Sequence, residues 1–314
     1  MKKIALITFA FAMFIAVGSF AQDTPNPMQI AQLRWYDASQ TGAQVRVGGW
    51  PCAAAFDGAN IWVANQSSNT VTKLKASDGS ILGTYQAGNG PTSIAFDGLS
   101  VWVTNYRSNT VTKLRASDGI ILGTYAVGSY PVGVAFDGAN IWVTNSGEST
   151  VTKLRASDGS AVGTYTVGSA PWGFAFDGTS IWVANHSDNT VTKLNPGDGS
   201  VQGTYPVGSD PRSIAFDGAS VWVANHASNT VTKLNASDGN LLGTYTVGTN
   251  PHGTAFDGAN IWVSNLSSNT VTKLRASDGS VLGTYAVGYG PVGVAFDGAS
   301  IWVTNIFSST VSKL

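Results

Sequence analysis

This chain has little charge and few of the residues that usually do chemistry. Only 11% of its 314 residues are charged, three are histidine, one is cysteine and one is glutamate. A single cysteine, Cys52, excludes an intrachain disulfide and a cysteine-built zinc cluster. A single glutamate, Glu148, leaves aspartate as nearly the whole supply of carboxylate. His186, His226 and His252 are the only imidazoles available for general-base work. The formal net charge of −1 lacks the positive excess of a nucleic-acid footprint, so no nucleic-acid partner is expected. H-E-x-x-H, G-x-S-x-G and P-loop patterns are absent. No catalytic constellation stands out.

Long apolar runs are absent too, except at the start. Lys2 and Lys3 precede an apolar run from Ile4 to Val17, and Ser19-Phe20-Ala21 offers small residues for a signal peptidase. Residues 1–21 therefore read as a secretory signal, followed by a lead-in over residues 22–42. The run is short for a membrane span, and no stable span is expected after cleavage. A secreted or periplasmic protein follows, mildly acidic at −3 once the two lysines are gone.

What is present is repetition. A forty-residue unit begins at Pro51, Pro91, Pro131, Pro171, Pro211, Pro251 and Pro291, with no insertion. Its frame is P-x-x-x-A-F-D-G-x-x-[IV]-W-V-x-N-x-x-x-x-T-V-[TS]-K-L, then a turn, then G-T-Y-x-x-G. The first unit holds four β-rich runs, A to D: Ala53–Phe56, Ile61–Asn65, Thr70–Leu74 and Gly83–Ala87. Asp57-Gly58 and Ser77-Asp78-Gly79 are hairpin signals, because glycine supplies the positive φ of tight turns. Four strands in forty residues make one propeller blade. The expected fold is all-β: a seven-bladed β-propeller with four antiparallel strands per blade, over residues 43–314.

Both sides of strand B are apolar or small, so each blade must be covered on both faces. The tryptophans of the Trp62 series then read as packing residues. The Asn65 series reads as tying down loop backbone. Lysines of the Lys73 series read as a solvated outer rim.

The seventh unit stops at Leu314 without its strand D, whereas Ala43–Pro51 aligns on the segment that ends the other units. The N-terminus thus carries the missing strand, and pairing it with Thr310–Leu314 would close the ring and cover two sheet edges.

The run V-G-x-x-P-x-G-x-A, followed by W-V-x-N and S-N-T-V, resembles the YVTN family of β-propeller repeats. The run P-x-G-x-A-F-D-G-x-x-I-W-V is similar to streptogramin (virginiamycin B) lyase and, more distantly, to NHL repeats. The resemblance spans residues 43–314. It implies a seven-bladed propeller, often exported. Its lyase side implies metal-assisted opening of a cyclic depsipeptide, with a histidine and acidic residues around a magnesium ion. No unit here pairs a histidine with a glutamate.

Differences between copies fall in two places. One is the entry to strand A: Trp50, Tyr130, Trp172, Asp210, Arg212, Asn250, His252 and Tyr289. The other follows strand B: Tyr106, Arg107, Glu148, His186, Asp188, His226, Ile306 and Phe307. Strand direction alternates in a blade, so the D–A and B–C connections share one face of the disc. Loops on a rigid frame commonly carry binding. The candidate ligand-binding residues are Trp172, His186, Asp188, Asp210, Arg212, His226 and His252, crowded into units four to six. Trp172, Arg212 and His252 are expected at the mouth of the channel. Two histidines plus a carboxylate, here His226, His252 and Asp210, are a legitimate ligand set, but no metal site is assigned on spacing this loose.

Three readings follow. The first is an exported binding or scaffold propeller, a monomer, holding a glycan, peptide or protein on that face and needing no cofactor. The second is a lyase-like enzyme with one of the three histidines as base and a divalent metal such as magnesium. The third is a repetitive cell-envelope component.

Overall fold

The structure, a computed structural model, describes residues 44–314; the expected signal peptide, the lead-in and Ala43 lie outside the described residues. Seven four-stranded antiparallel sheets form the blades. In blade 1 the strands are Pro51–Phe56, Asn60–Asn65, Thr70–Lys75 and Ile81–Gln86, in that spatial order. Strand D starts two residues earlier than its sequence suggests. Ile81 pairs with Leu74 across a register shift at Lys73/Leu74, which carries the strand past Gly83 to the rim. Among the described residues, no helix is long and apolar enough to cross a membrane.

The expected closure is present. Gln44–Arg46 pairs antiparallel with Thr310–Lys313 and becomes strand D of blade 7. Val45 and Val47 then pack on a cluster shared by blades 7 and 1, with Trp302 and Val311 on one side and Ile61, Val63 and Leu74 on the other. Each core cluster bridges two neighbouring blades in this way. Trp62, Ala64 and Val71 of blade 1, for example, meet Ile94, Val101, Val103 and Leu114 of blade 2.

Trp62 is fully buried, and its indole N–H donates to Asp57 Oδ2 at 2.8 Å. Asp57 Oδ1 accepts the backbone N–H groups of Ala59 and Asn60, so one aspartate holds both the A–B turn and the tryptophan. Desolvation works to raise the Asp57 pKa, but these donors outweigh it and hold the carboxyl below its usual range. Asn65 Nδ2 donates to Thr70 and Thr72, which pins strand B to strand C.

The lysine ring corrects the sequence reading in every blade but the sixth, where Lys273 lies 3.9 Å from Asp257 instead. Lys73 is 6% exposed, not solvated. It lies opposite Trp62 in the ladder, with Nζ 5.0 Å from the ring centroid and donating to Ala116 O of the next blade at 2.6 Å. The aliphatic stem is buried against the blade and the ammonium is satisfied by a carbonyl and a π face. Lys313 makes the same clasp onto Ala76 O of blade 1, across the closure.

Candidate functional site

Strand A forms the inner wall of each blade, so the second residue of each repeat reaches the axis. A central cavity of about 180 Å³ lies there, lined among others by Cys52, Thr92, Val132, Trp172, Arg212, His252 and Val292. The ring is chemically lopsided. One arc is small or apolar, while Trp172, Arg212 and His252 make the other. Cys52 belongs to the first arc; burial pushes its thiol up to about 12, so it stays protonated.

The residue before each proline is left-handed in all seven copies: Trp50, Gly90, Tyr130, Ala170, Asp210, Asn250 and Gly290. This backbone lifts the side chain out over the face. At Asp210 it points the carboxylate back across the B–C turns of blades 4 and 5. The Asp210 N–H is held by Asn189 Oδ1 at 2.9 Å, and its carbonyl accepts the His226 N–H at 2.9 Å.

Three side chains converge on that carboxylate. Arg212 donates Nε to Oδ1 at 2.8 Å and an Nη to Oδ2 at 2.9 Å, a bidentate pair. His186 Nε2 lies 2.8 Å from Oδ1 and His226 Nδ1 lies 3.0 Å from Oδ2. A carboxylate at these distances requires the facing nitrogen of each imidazole to carry its proton. Asn250 completes the group by donating Nδ2 to His226 O at 3.2 Å. The Arg212 guanidinium also lies 4.4 Å from the Trp172 ring centroid, and His186 stacks on Trp172 at 5.4 Å and 24°. These groups form one connected unit.

Protonation follows from the packing. Desolvation works to raise the Asp210 pKa, but hydrogen bonds from His226 and Arg212 and the Arg212 charge hold it well below the usual carboxylate range. Desolvation lowers the His186 pKa and Asp210 opposes it; Arg212 and His226 add to the lowering. His252 is pushed down to about 3, first by desolvation and then by the Arg212 and His226 charges. The unit at neutral pH is thus one carboxylate, one guanidinium and neutral imidazole at His186 and His252.

Of the sequence candidates, Trp172, His186, Asp210, Arg212 and His226 are brought together. His252 adjoins them edge-on, its ring 6.2 Å from that of His226. Asp188 stands apart: its Oδ2 accepts the Ser169 N–H at 2.7 Å, the loop-tying role that Ser108 and Ser228 play in other blades. Asn250 varies between copies but was outside the candidate set; its place as the Asp210 counterpart in the next repeat was the available signal.

A magnesium ion, implied by the lyase resemblance, does not fit this donor set. Both Asp210 oxygens and the facing imidazole nitrogens are engaged with one another, and a guanidinium sits at the position a cation would need. Among the described residues, no group of three or more His, Cys, Asp and Glu is arranged to hold a metal.

A family model described as outer membrane protein assembly factor BamB matches residues 107–305. The chain belongs to this family. No curated protein matches it. Among solved structures it is similar to a streptogramin B lyase, with a TM-score of 0.75 and 20% identity over 86% of this chain and 95% of that one. It is also similar to a hydrazine synthase of Kuenenia stuttgartiensis, with a TM-score of 0.74 and 19% identity over 86% and 97%. A catalytically inactive virginiamycin B lyase from Staphylococcus aureus, with quinupristin, gives the same values. At this identity the three bear on the fold.

Proposed function

We propose that the protein is an exported scaffold propeller that holds a polypeptide partner on the face made by its D–A and B–C connections. The observation that carries this reading is the self-contained Asp210–Arg212–His186–His226 unit. Its charges satisfy each other, which makes a fixed polar patch rather than an open coordination site. The uniform A–B and C–D turns of the opposite face supply the rigid frame. The description of the family as an outer membrane protein assembly factor supports a protein partner and an envelope location.

A photo-crosslinking amino acid tests it in intact cells. Installed at Ala227 or Ser67 on the proposed face, it should give discrete protein adducts; at Ala59 or Ala219, on the opposite face, it should give none. Equal labelling from both faces, or none from either, would refute the assignment.

One observation favours a second reading, an elimination enzyme. Asp210 orients His226 through Nδ1, which leaves Nε2 free as a base, the arrangement of a carboxylate-supported imidazole. Turnover of a cyclic depsipeptide, abolished in His226→Gln, would establish it.

A further inference from the structure

The left-handed position before each proline carries glycine in two blades, at Gly90 and Gly290 with φ of 71° and 70°. Those blades show what the backbone prefers. Trp50 and Tyr130 occupy the same position at φ 56° and 53°, where a bulky side chain is strained. Their side chains are not repaid by burial: Trp50 is 48% exposed and Tyr130 is 50% exposed. By contrast, Asp210 and Asn250 use the same conformation to make hydrogen bonds. Two strained, exposed aromatics at a position that other blades fill with glycine, alanine or a hydrogen-bonding side chain call for a contact outside the chain.

They have neighbours of the same kind. Tyr130 stacks on Tyr106 at 5.0 Å and 29°. Tyr289, 60% exposed, packs against Phe307, 54% exposed, at 5.2 Å. These residues sit on consecutive blades 7, 1, 2 and 3, opposite the polar unit on blades 4 to 6. Two charges accompany them. Glu148 is exposed but engaged by its own loop, accepting from the Ser129 N–H at 2.9 Å and the Ser129 hydroxyl at 2.6 Å. Arg107 is exposed, and its guanidinium makes no hydrogen bond or ion pair among the described residues. Clustered aromatics beside a free arginine are the composition of protein-binding hot spots.

We infer that Trp50, the Tyr106–Tyr130 stack and the Tyr289–Phe307 pair form a docking arc for an extended polypeptide segment. That segment carries bulky apolar side chains for the rings and a carboxylate for Arg107. The inference rests on the scaffold reading and names the chemistry of its partner.

The test is fluorescence anisotropy on the full chain with labelled synthetic peptides alternating leucine or phenylalanine with aspartate. Lysine and serine versions and a neutral cello-oligosaccharide are the comparison probes. The aspartate peptide should bind. Combining Trp50→Gly with Tyr130→Gly should weaken it about thirty-fold or more, with an unchanged or higher melting temperature. Ala170→Gly, the same backbone relaxation without loss of a ring, should leave binding unaltered. Arg107→Glu should turn the preference toward the lysine peptide. No binding of the aspartate peptide at about 1 mM, or equal affinity in the double-glycine variant, overturns the proposal. Oligosaccharide binding with the same dependence on the two rings also overturns it, in favour of a glycan. Should crosslinks from Ala227 persist while the peptides fail, the docking arc falls and the scaffold reading stands; without either, both fall.

Discussion

Asp210 Oδ2 lies 3.0 Å from His226 Nδ1, while the same carboxylate is clamped by Arg212. One aspartate therefore fixes the tautomer of an imidazole, the fork of a guanidinium and the pose of His186. In Asp210→Asn the amide cannot neutralise Arg212, which is 18% exposed at its side chain. The variant should lose about 2 kcal/mol, since a largely desolvated cation is left without its partner. Because the Asp210 charge raises the His186 pKa against desolvation, its removal should move the His186 titration to lower pH. Chemical denaturation and imidazole NMR check the two effects. An upward shift of the His186 titration would contradict this geometry.

Acid stability should depend on His252. Its folded pKa is about 3, below an unfolded value near 6.5, so the unfolded chain binds the proton first as pH falls. The stabilising contribution is complete above about 6.5 and is lost as pH drops toward 3, with a slope of at most about 1.4 kcal/mol per pH unit. Arg212, His226 and Asp210 are the charged or titratable groups that act on it, and Asp210 opposes the other two. His186 adds a loss of the same sign. His252→Val copies the residue at Val132 and Val292 in the same ring. It should flatten the decline between about pH 6 and pH 4 in melting temperature measured against pH. A decline as steep as in the parent would show that the imidazole titrates freely in the channel.

The blades were legible because forty-residue periodicity, Asp-Gly turns and alternation of strand B all state the same thing. Closure was legible because Val45 and Val47 occupy the strand-D frame. The lysine ring was not. Lys73 carries a charge, and charge on a surface-like strand reads as solvated; nothing local says that Ala116 O, forty-three residues on, waits for its ammonium. Asp188 is the converse case. A carboxylate beside His186 reads as chemistry, yet Ser108 and Ser228 at the same frame position show that the fold wants only an acceptor for a loop N–H. Convergence of His186 with Asp210 and Arg212 needed the left-handed turn at Asp210, which the sequence shows only as variation.

That turn gives a stability prediction free of any ligand. Ala170 adopts φ 52° with no side chain able to make a compensating contact at its tip. Ala170→Gly should stabilise by about 1 kcal/mol, the relief of left-handed strain less the added unfolded-state entropy. Asn250→Gly, at φ 55°, should not gain, because it discards the bond to His226 O. Urea melts of the two variants decide this; equal behaviour would show that the backbone at these positions is unstrained.

Ring closure can be separated from blade stability. The strand Gln44–Arg46 contributes its ladder to Thr310–Ser312, and Val47 N–H donates to Ser309 O at 3.0 Å. Val45 and Val47 also cover Trp302 and Ile61, the seam where blade 7 meets blade 1. Deleting residues 22–48 uncovers this seam and leaves Thr310–Lys313 as an open edge. The truncated chain should melt lower and associate, because an unpaired apolar edge recruits another strand. Lys313, however, still clasps Ala76 O, so the ring should remain near-closed and receptive. A synthetic peptide spanning residues 40–50 should then restore the melting temperature in a saturable way, whereas a peptide with Val45→Asp and Val47→Asp should not. Binding of the free strand adds stability by mass action, so the recovery should grow with peptide concentration. A truncated chain that melts as high as the parent, unmoved by peptide, would mean that blade 7 is held by its three remaining strands and the lysine clasp alone.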